Sequence, residues 1–208
     1  MLKFAGTHAA SLATPLGVGF LLGLAGPIAG NWDSPVDMVA DAIFSGGWSW
    51  ACYAFLIGYF RRSKIESVLL APFGLAIGVV TYYLLKDSVL ATPDGSQFGT
   101  SDAGSKIGVW GVLAFTFGIP LGFLGNLARA PGIGGLFFRL LIPLAAFYET
   151  SNRLAGESRG REAVVMNTWN TVRFLAVAVA LALVGHTIWS WWRARRTRSP
   201  GSGPRSTT

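Results

Sequence analysis

Residues 171–192 read TVRFLAVAVALALVGHTIWSWW, and between Arg173 and Arg193 no Lys, Arg, Asp or Glu interrupts them. An apolar run of this length matches the roughly 20 residues a helix needs to cross a bilayer. Five further runs can be read the same way, over 9–28, 35–60, 67–85, 107–127 and 132–148. The composition agrees: of 208 residues, 51% are hydrophobic and 13% charged, where a soluble domain carries about a quarter charged, and mean hydropathy is +0.47. The expected fold is all-α, a polytopic membrane helical bundle of about six transmembrane helices filling 1–192, with 193–208 as a disordered basic tail.

The run 9–28 follows Lys3 but is longer than a signal-peptide core. Its Gly19 and Gly23 spacing suits close packing against another helix, as do Gly74 with Gly78 and Gly118 with Gly122. Pro120 and Pro143 are expected to kink their helices. Lys3, Arg61, Arg62, Lys64, Arg129, Arg193, Arg195, Arg196, Arg198 and Arg205 share one side of a six-helix arrangement. The other side holds fewer cations, so the expected location is the cell membrane, multi-pass, with both termini cytoplasmic. The net charge of +7 belongs to those loops and to anionic headgroups, and no nucleic-acid partner is expected. Trp189, Trp191 and Trp192 mark an interface. A single cysteine, Cys52, and two histidines, His8 and His186, leave no thiolate cluster or histidine-rich metal site, and no metal or cofactor is expected.

Ionisable groups are costly in lipid, so their placement is the most informative feature. The stretch 31–41, NWDSPVDMVAD, sets Asp33, Asp37 and Asp41 on one helical face. In an alternating bundle, Tyr82, Tyr83 and Asp87, then Trp110, then Tyr148, Glu149 and Asn152, then Asn167, Trp169, Asn170 and Arg173 all fall at the same membrane face. Plainer roles stand beside each functional one. Asp33 before Ser34 and Pro35 suits an N-cap, and Asp37 suits the helix dipole. Glu149 can pair with Arg153 four residues on, Asp87 with Lys86 or water, and Arg173 can snorkel or serve as a counter-ion. Asp41 lies about two turns inside the helix beside Ala42, Ile43 and Phe44, where poor solvation favours the neutral acid.

Further along that helix the same face presents Phe44, Trp48, Cys52 and Phe55, flanked by Trp50 and Tyr53. Such a stripe serves packing in many membrane helices. Running inward from two acids, it also describes an apolar cavity with a proton source at its mouth and π-faces able to stabilise a carbocation.

Asp33-Ser34-Pro35-Val36 through Asp41, with Ala54-Phe55-Leu56-Ile57-Gly58 and Tyr82-Tyr83, resembles an uncharacterised family of small polytopic membrane proteins from high-GC Gram-positive bacteria, over about the first half of the chain. The whole layout, with aromatic-rich spans and a few buried acids, is similar to the small bacterial membrane terpene cyclases of indole-sesquiterpenoid pathways. That resemblance implies protonation-initiated cyclisation of a small hydrophobic prenylated substrate without departure of diphosphate. Asp41 would donate the proton with Asp37 as coupled partner, and Glu149 would be a second acid or the final base. Phe44, Trp48, Tyr53, Tyr83, Trp110, Tyr148, Asn152 and Asn170 would line the substrate site.

Aspartates at four-residue intervals also resemble the magnesium-binding ladder of membrane aromatic prenyltransferases. This chain lacks a second aspartate-rich motif and has too few spans for that family. A small transporter or accessory subunit with intramembrane acids is the non-enzymatic alternative, and a purely structural membrane protein is the plainest.

Overall fold

A computed structural model describes the backbone of residues 2–29, 34–90, 100–156 and 162–196, with side chains over 13–28, 34–86, 104–156 and 162–196. The described residues form an all-α bundle: α1 (Leu2–Ala29), α2 (Pro35–Phe44), α3 (Gly47–Phe60), α4 (Lys64–Leu90), α5 (Thr100–Leu127), α6 (Ile133–Arg139), α7 (Leu141–Gly156) and α8 (Ala163–Arg196). Four stretches among them are long and apolar enough to cross a membrane: Lys64–Lys86, Gly104–Leu127, Ile133–Gly156 and Ala163–Arg196. They correspond to the third to sixth expected runs. The first run is α1, whose described apolar part is the shorter Ala13–Ile28.

The second run is divided. Instead of one helix over 35–60, α2 ends at Phe44 and α3 starts at Gly47. Ser45 closes α2 by donating its N–H to the Asp41 carbonyl, and Gly46 takes an extended conformation as N-cap of α3. The sequence Ser45-Gly46-Gly47 permits the break, since glycine pays most to be held in a helix interior. At 1.5 Å per residue, α2 and α3 are about 15 and 21 Å long, each short of a roughly 30 Å hydrocarbon core. The fifth run is divided as well, at Leu140, and Pro143 therefore stands in the first turn of α7, where its missing N–H breaks no helical bond. Pro120 does lie inside α5. Residues 193–196 of the expected tail are helical, with Arg193, Arg195 and Arg196 in the last turn of α8; 197–208 lies outside the described residues.

Small residues set the packing. Gly19 and Gly23 of α1 lie directly against the backbone of Gly74 and Gly78 of α4, close packing of the kind their spacing suits. A Cβ at Gly58 of α3 would overlap the carbonyl of Gly122 on α5, and α4 enters the same junction with Ser67 and Ala71. Around these contacts Tyr53, Ala54, Ile57, Leu70, Ala71, Leu75 and Ala114 form the buried core. Lipid offers no hydrophobic drive to associate, so such close approach supplies dispersion contact instead. Polar groups at the junction are satisfied internally: Asn126 Nδ2 donates to the Arg61 carbonyl at 2.7 Å and to Ser67 Oγ at 3.3 Å, and Ser67 Oγ donates to the Ser63 carbonyl at 2.8 Å.

Gly58→Val is expected to destabilise the bundle by about 1–3 kcal/mol or more through overpacking. Thermal unfolding followed by labelling of Cys52, the one thiol in the chain, measures it; a Gly17→Val control, where an added Cβ meets nothing within 4 Å, should change little.

Candidate functional site

The break after α2 exposes the first N–H groups of α3, and Gly46 offers no side chain to cap them. The cap comes from 102 residues away: Glu149 Oε1 accepts from Gly47 N at 2.9 Å, and Oε2 accepts from Trp48 N at 2.8 Å. Arg153, one turn on along α7, donates Nε to Glu149 Oε1 at 3.1 Å and sets Nη2 at 3.0 Å from the same oxygen. Its Nη2 also donates to the Ser45 carbonyl at 3.4 Å, and its guanidinium lies 5.7 Å from the Trp169 ring of α8. A carboxylate suits this place because both oxygens accept and the α3 dipole favours negative charge. The pair thus ties α7 to both sides of the α2–α3 break.

A cavity of about 850 Å³ lies between α3, α4, α5 and α7, and Glu149 and Arg153 form part of its wall. It is chiefly apolar, with Phe44, Trp50, Tyr82, Tyr83, Trp110 and Phe117 supplying the aromatic faces. Trp50 is fixed by donating Nε1 to the Phe44 carbonyl at 2.9 Å and meets Tyr82 edge-on at 6.4 Å between centroids. Tyr82 meets Tyr83 edge-on at 5.2 Å, and Lys86 Nζ lies 5.4 Å from the Tyr82 centroid. Trp110 remains half exposed, so the cavity reaches the outer surface on the α5 side.

A second cavity of about 640 Å³ lies on the other side of the ion pair, lined by Trp48, Tyr148, Asn152 and Gly156 together with Glu149 and Arg153. Gly47, Ala51 and Ala145 border both spaces.

The expected site residues therefore separate. Tyr83, Trp110 and Glu149 meet at the aromatic cavity, as their common membrane face suggested, and Phe44 joins them from the end of α2. Trp48, Tyr148 and Asn152 line the outer cavity. Tyr53 is buried in the core, where its hydroxyl donates to the Pro15 carbonyl at 2.6 Å. Asn170 spends its amide on the Met166 carbonyl of its own helix at 3.1 Å and borders neither space.

The two aspartates depart from the expected pair. Asp41 is exposed on the bundle and borders neither cavity, so it does not share a space with Glu149 or Tyr83. Asp37 is buried, but as half of a capping box: its Oδ2 accepts from Ser34 N at 3.2 Å and from Ser34 Oγ at 2.5 Å, and its own N–H donates to Ser34 Oγ at 3.4 Å. Ser34, rather than Asp33, is the N-cap of α2, and Asp33 lies outside the described residues, as does the side chain of Asp87. The continuous stripe from Asp37 to Phe55 is cut by the helix break. Phe44 faces one cavity and Trp48 the other, while Phe55 is buried.

Arg153 enters as a wall residue rather than only a partner for Glu149, and Trp50 and Tyr82 enter as lining. For Trp50 the available signal was the Ser45-Gly46-Gly47 break, beyond which α3 need not continue the face of α2; for Tyr82 it was the adjoining Tyr83, and for Arg153 its spacing of four from Glu149. Among the described residues no group of three or more His, Cys, Asp or Glu is placed to hold a metal ion. Comparison with protein-family models, curated proteins and solved structures finds no match to the chain.

Glu149→Ala leaves the α3 N–H groups and Arg153 without their acceptor, and is expected to cost about 1–3 kcal/mol. Glu149→Gln should cost less, because its amide oxygen still accepts one N–H, whereas Asp41→Asn should stay within about 0.5 kcal/mol as an exposed change. Denaturation midpoints of the purified variants give this order directly.

Proposed function

We propose that this is a membrane protein that holds an elongated apolar small molecule, of the prenylated kind, in the cavity between α3, α4, α5 and α7, and promotes its cyclisation. The observation that carries the reading is the lining: six aromatic rings and a single carboxylate–guanidinium pair around about 850 Å³, within the size range of small-molecule sites. Ring faces shielded from water stabilise a positive charge on carbon more strongly than they would in solution. Cyclisation through such a cation adds a proton to an alkene or epoxide at the start and releases one at the end. Glu149, the one carboxylate on the described lining, would be the acceptor in the second event, exchanging one of its bonds to Gly47, Trp48 or Arg153 for the substrate's proton.

The first event needs an acid. Among the described residues Glu149 is the one carboxyl group on the lining, so initiation by Asp41 requires that residue to reach the cavity from its exposed position. The exposed position of Asp41 favours a second reading, in which a carrier or accessory protein holds the same molecule unchanged. The magnesium-dependent prenyl-diphosphate reading has less support, since Asp37 is committed to Ser34 and Asp41 is exposed.

The deciding experiment supplies farnesylated aromatic compounds to membranes carrying the protein, with and without chelator, and analyses products by mass spectrometry against empty membranes. An isomer of unchanged mass, formed with chelator present, is the expected result. Loss of diphosphate that requires magnesium would replace it with the prenyltransferase reading, and binding without conversion would replace it with the carrier. If conversion occurs, Trp110→Ala and Tyr83→Ala should each lower turnover by about 2- to 30-fold, the range that one cation–π contact supplies, or shift the product mixture.

A further inference from the structure

The last turns of α8 carry a feature that the cavity does not use. Arg195 stacks over the Trp191 ring with its guanidinium carbon 3.5 Å from the centroid, and Arg196 stacks over Trp192 at 3.6 Å. Arg193 lies 5.1 Å from the Trp189 centroid. The three indoles are about half exposed, and Arg195 and Arg196 are exposed. Neither α8 nor the sequence beyond it contains an aspartate or glutamate, so no acid of the same helix or tail competes for these cations.

The position of the collar follows from helix length. From Phe174 to Trp192 the helix has no ionisable group but His186, and these 19 residues rise about 28 Å at 1.5 Å each, close to a hydrocarbon core of roughly 30 Å. Arg173 then stands at one boundary and the indole collar at the other, where tryptophan is favoured. The guanidiniums lie against the indoles at this interfacial level, where the phosphates of the surrounding lipids are within reach. Stacking occupies only the π-face of a guanidinium and holds its plane, leaving the in-plane N–H donors free to grip two oxygens of one phosphate.

We propose that Arg195 and Arg196, held flat on Trp191 and Trp192, form a binding site for the phosphate groups of anionic phospholipids at one end of α8. The site binds a lipid surface through charge complementarity and bidentate geometry together, and it stands independently of what the cavity binds.

The test is native mass spectrometry of the full-length protein released from mixed micelles containing equal amounts of phosphatidylglycerol and phosphatidylcholine, with retained lipids counted. The wild-type protein should retain phosphatidylglycerol preferentially, and Arg195→Gln/Arg196→Gln should lower that preference on the order of tenfold, as expected for loss of two interfacial cations. Arg195→Lys/Arg196→Lys keeps the charge but not the planar fork, and should fall clearly below wild type. Equal retention of the two lipids by the wild type, or unchanged preference in the glutamine variant, overturns the site. A lysine variant equal to wild type overturns the stacked bidentate geometry. Cys52-reported unfolding of each variant separates these outcomes from a failure to fold.

Discussion

Glu149 holds the N-terminus of α3 from across the bundle, and most of what distinguishes this protein depends on that contact. A helix start inside an apolar environment has N–H groups that cannot be left unpaired without cost. Here the local sequence provides glycines and no capping side chain, so the solution is a tertiary one. Two oxygens satisfy two backbone donors, and Arg153 neutralises the charge while reaching back to Ser45 at the end of α2. Breaking such a set from either side strands the other members, which is why a one-residue change there reaches three helices.

The break and the wall are consequences of one another. Because α3 restarts at Gly47, it can turn Trp50 toward Tyr82 while Trp48 points to the other side of the ion pair. Because α7 is anchored at Glu149, it closes the space beside α3 and α4. Elsewhere α1 against α4, and both α3 and α4 against α5, are packed backbone to backbone through glycine. The bundle therefore has a dense half, where small residues meet, and an open half, where large rings surround unfilled volume. Apolar volume lined by aromatic walls binds apolar molecules without first having to exclude strongly held water.

The helical class and the four longest apolar stretches were legible in the sequence, because apolar length acts locally, and the spacings of Gly19 with Gly23 and of Gly74 with Gly78 marked each helix for close packing without naming its partner. The convergence of Tyr83, Trp110 and Glu149 was legible too, since alternation of spans brings those ends together whatever the orientation. Asp41 was not. Its reading assumed that α2 continued past Phe44, and the phase of a helical face means nothing beyond a break. Asp37 illustrates a second reason: with Ser34 three residues before it, the same acid can complete a capping box or serve chemistry, and spacing alone does not choose. The pairing of Glu149 with Arg153 was readable from their i, i+4 separation, but its contact with Gly47 and Trp48 joins positions 102 and 101 residues apart, which no local pattern contains.

Photo-crosslinking with a farnesyl-diazirine probe, followed by peptide mapping of the adducts, tests most directly whether the space beside Glu149 and Arg153 is where an apolar ligand sits. Adducts on Trp50, Tyr83 and Trp110 that disappear when unlabelled farnesylated compound is added in excess are the expected result. Adducts spread over the outward residues of α8, such as Phe174 and Leu181, and unaffected by competitor would show only partitioning into lipid and would contradict a built cavity site.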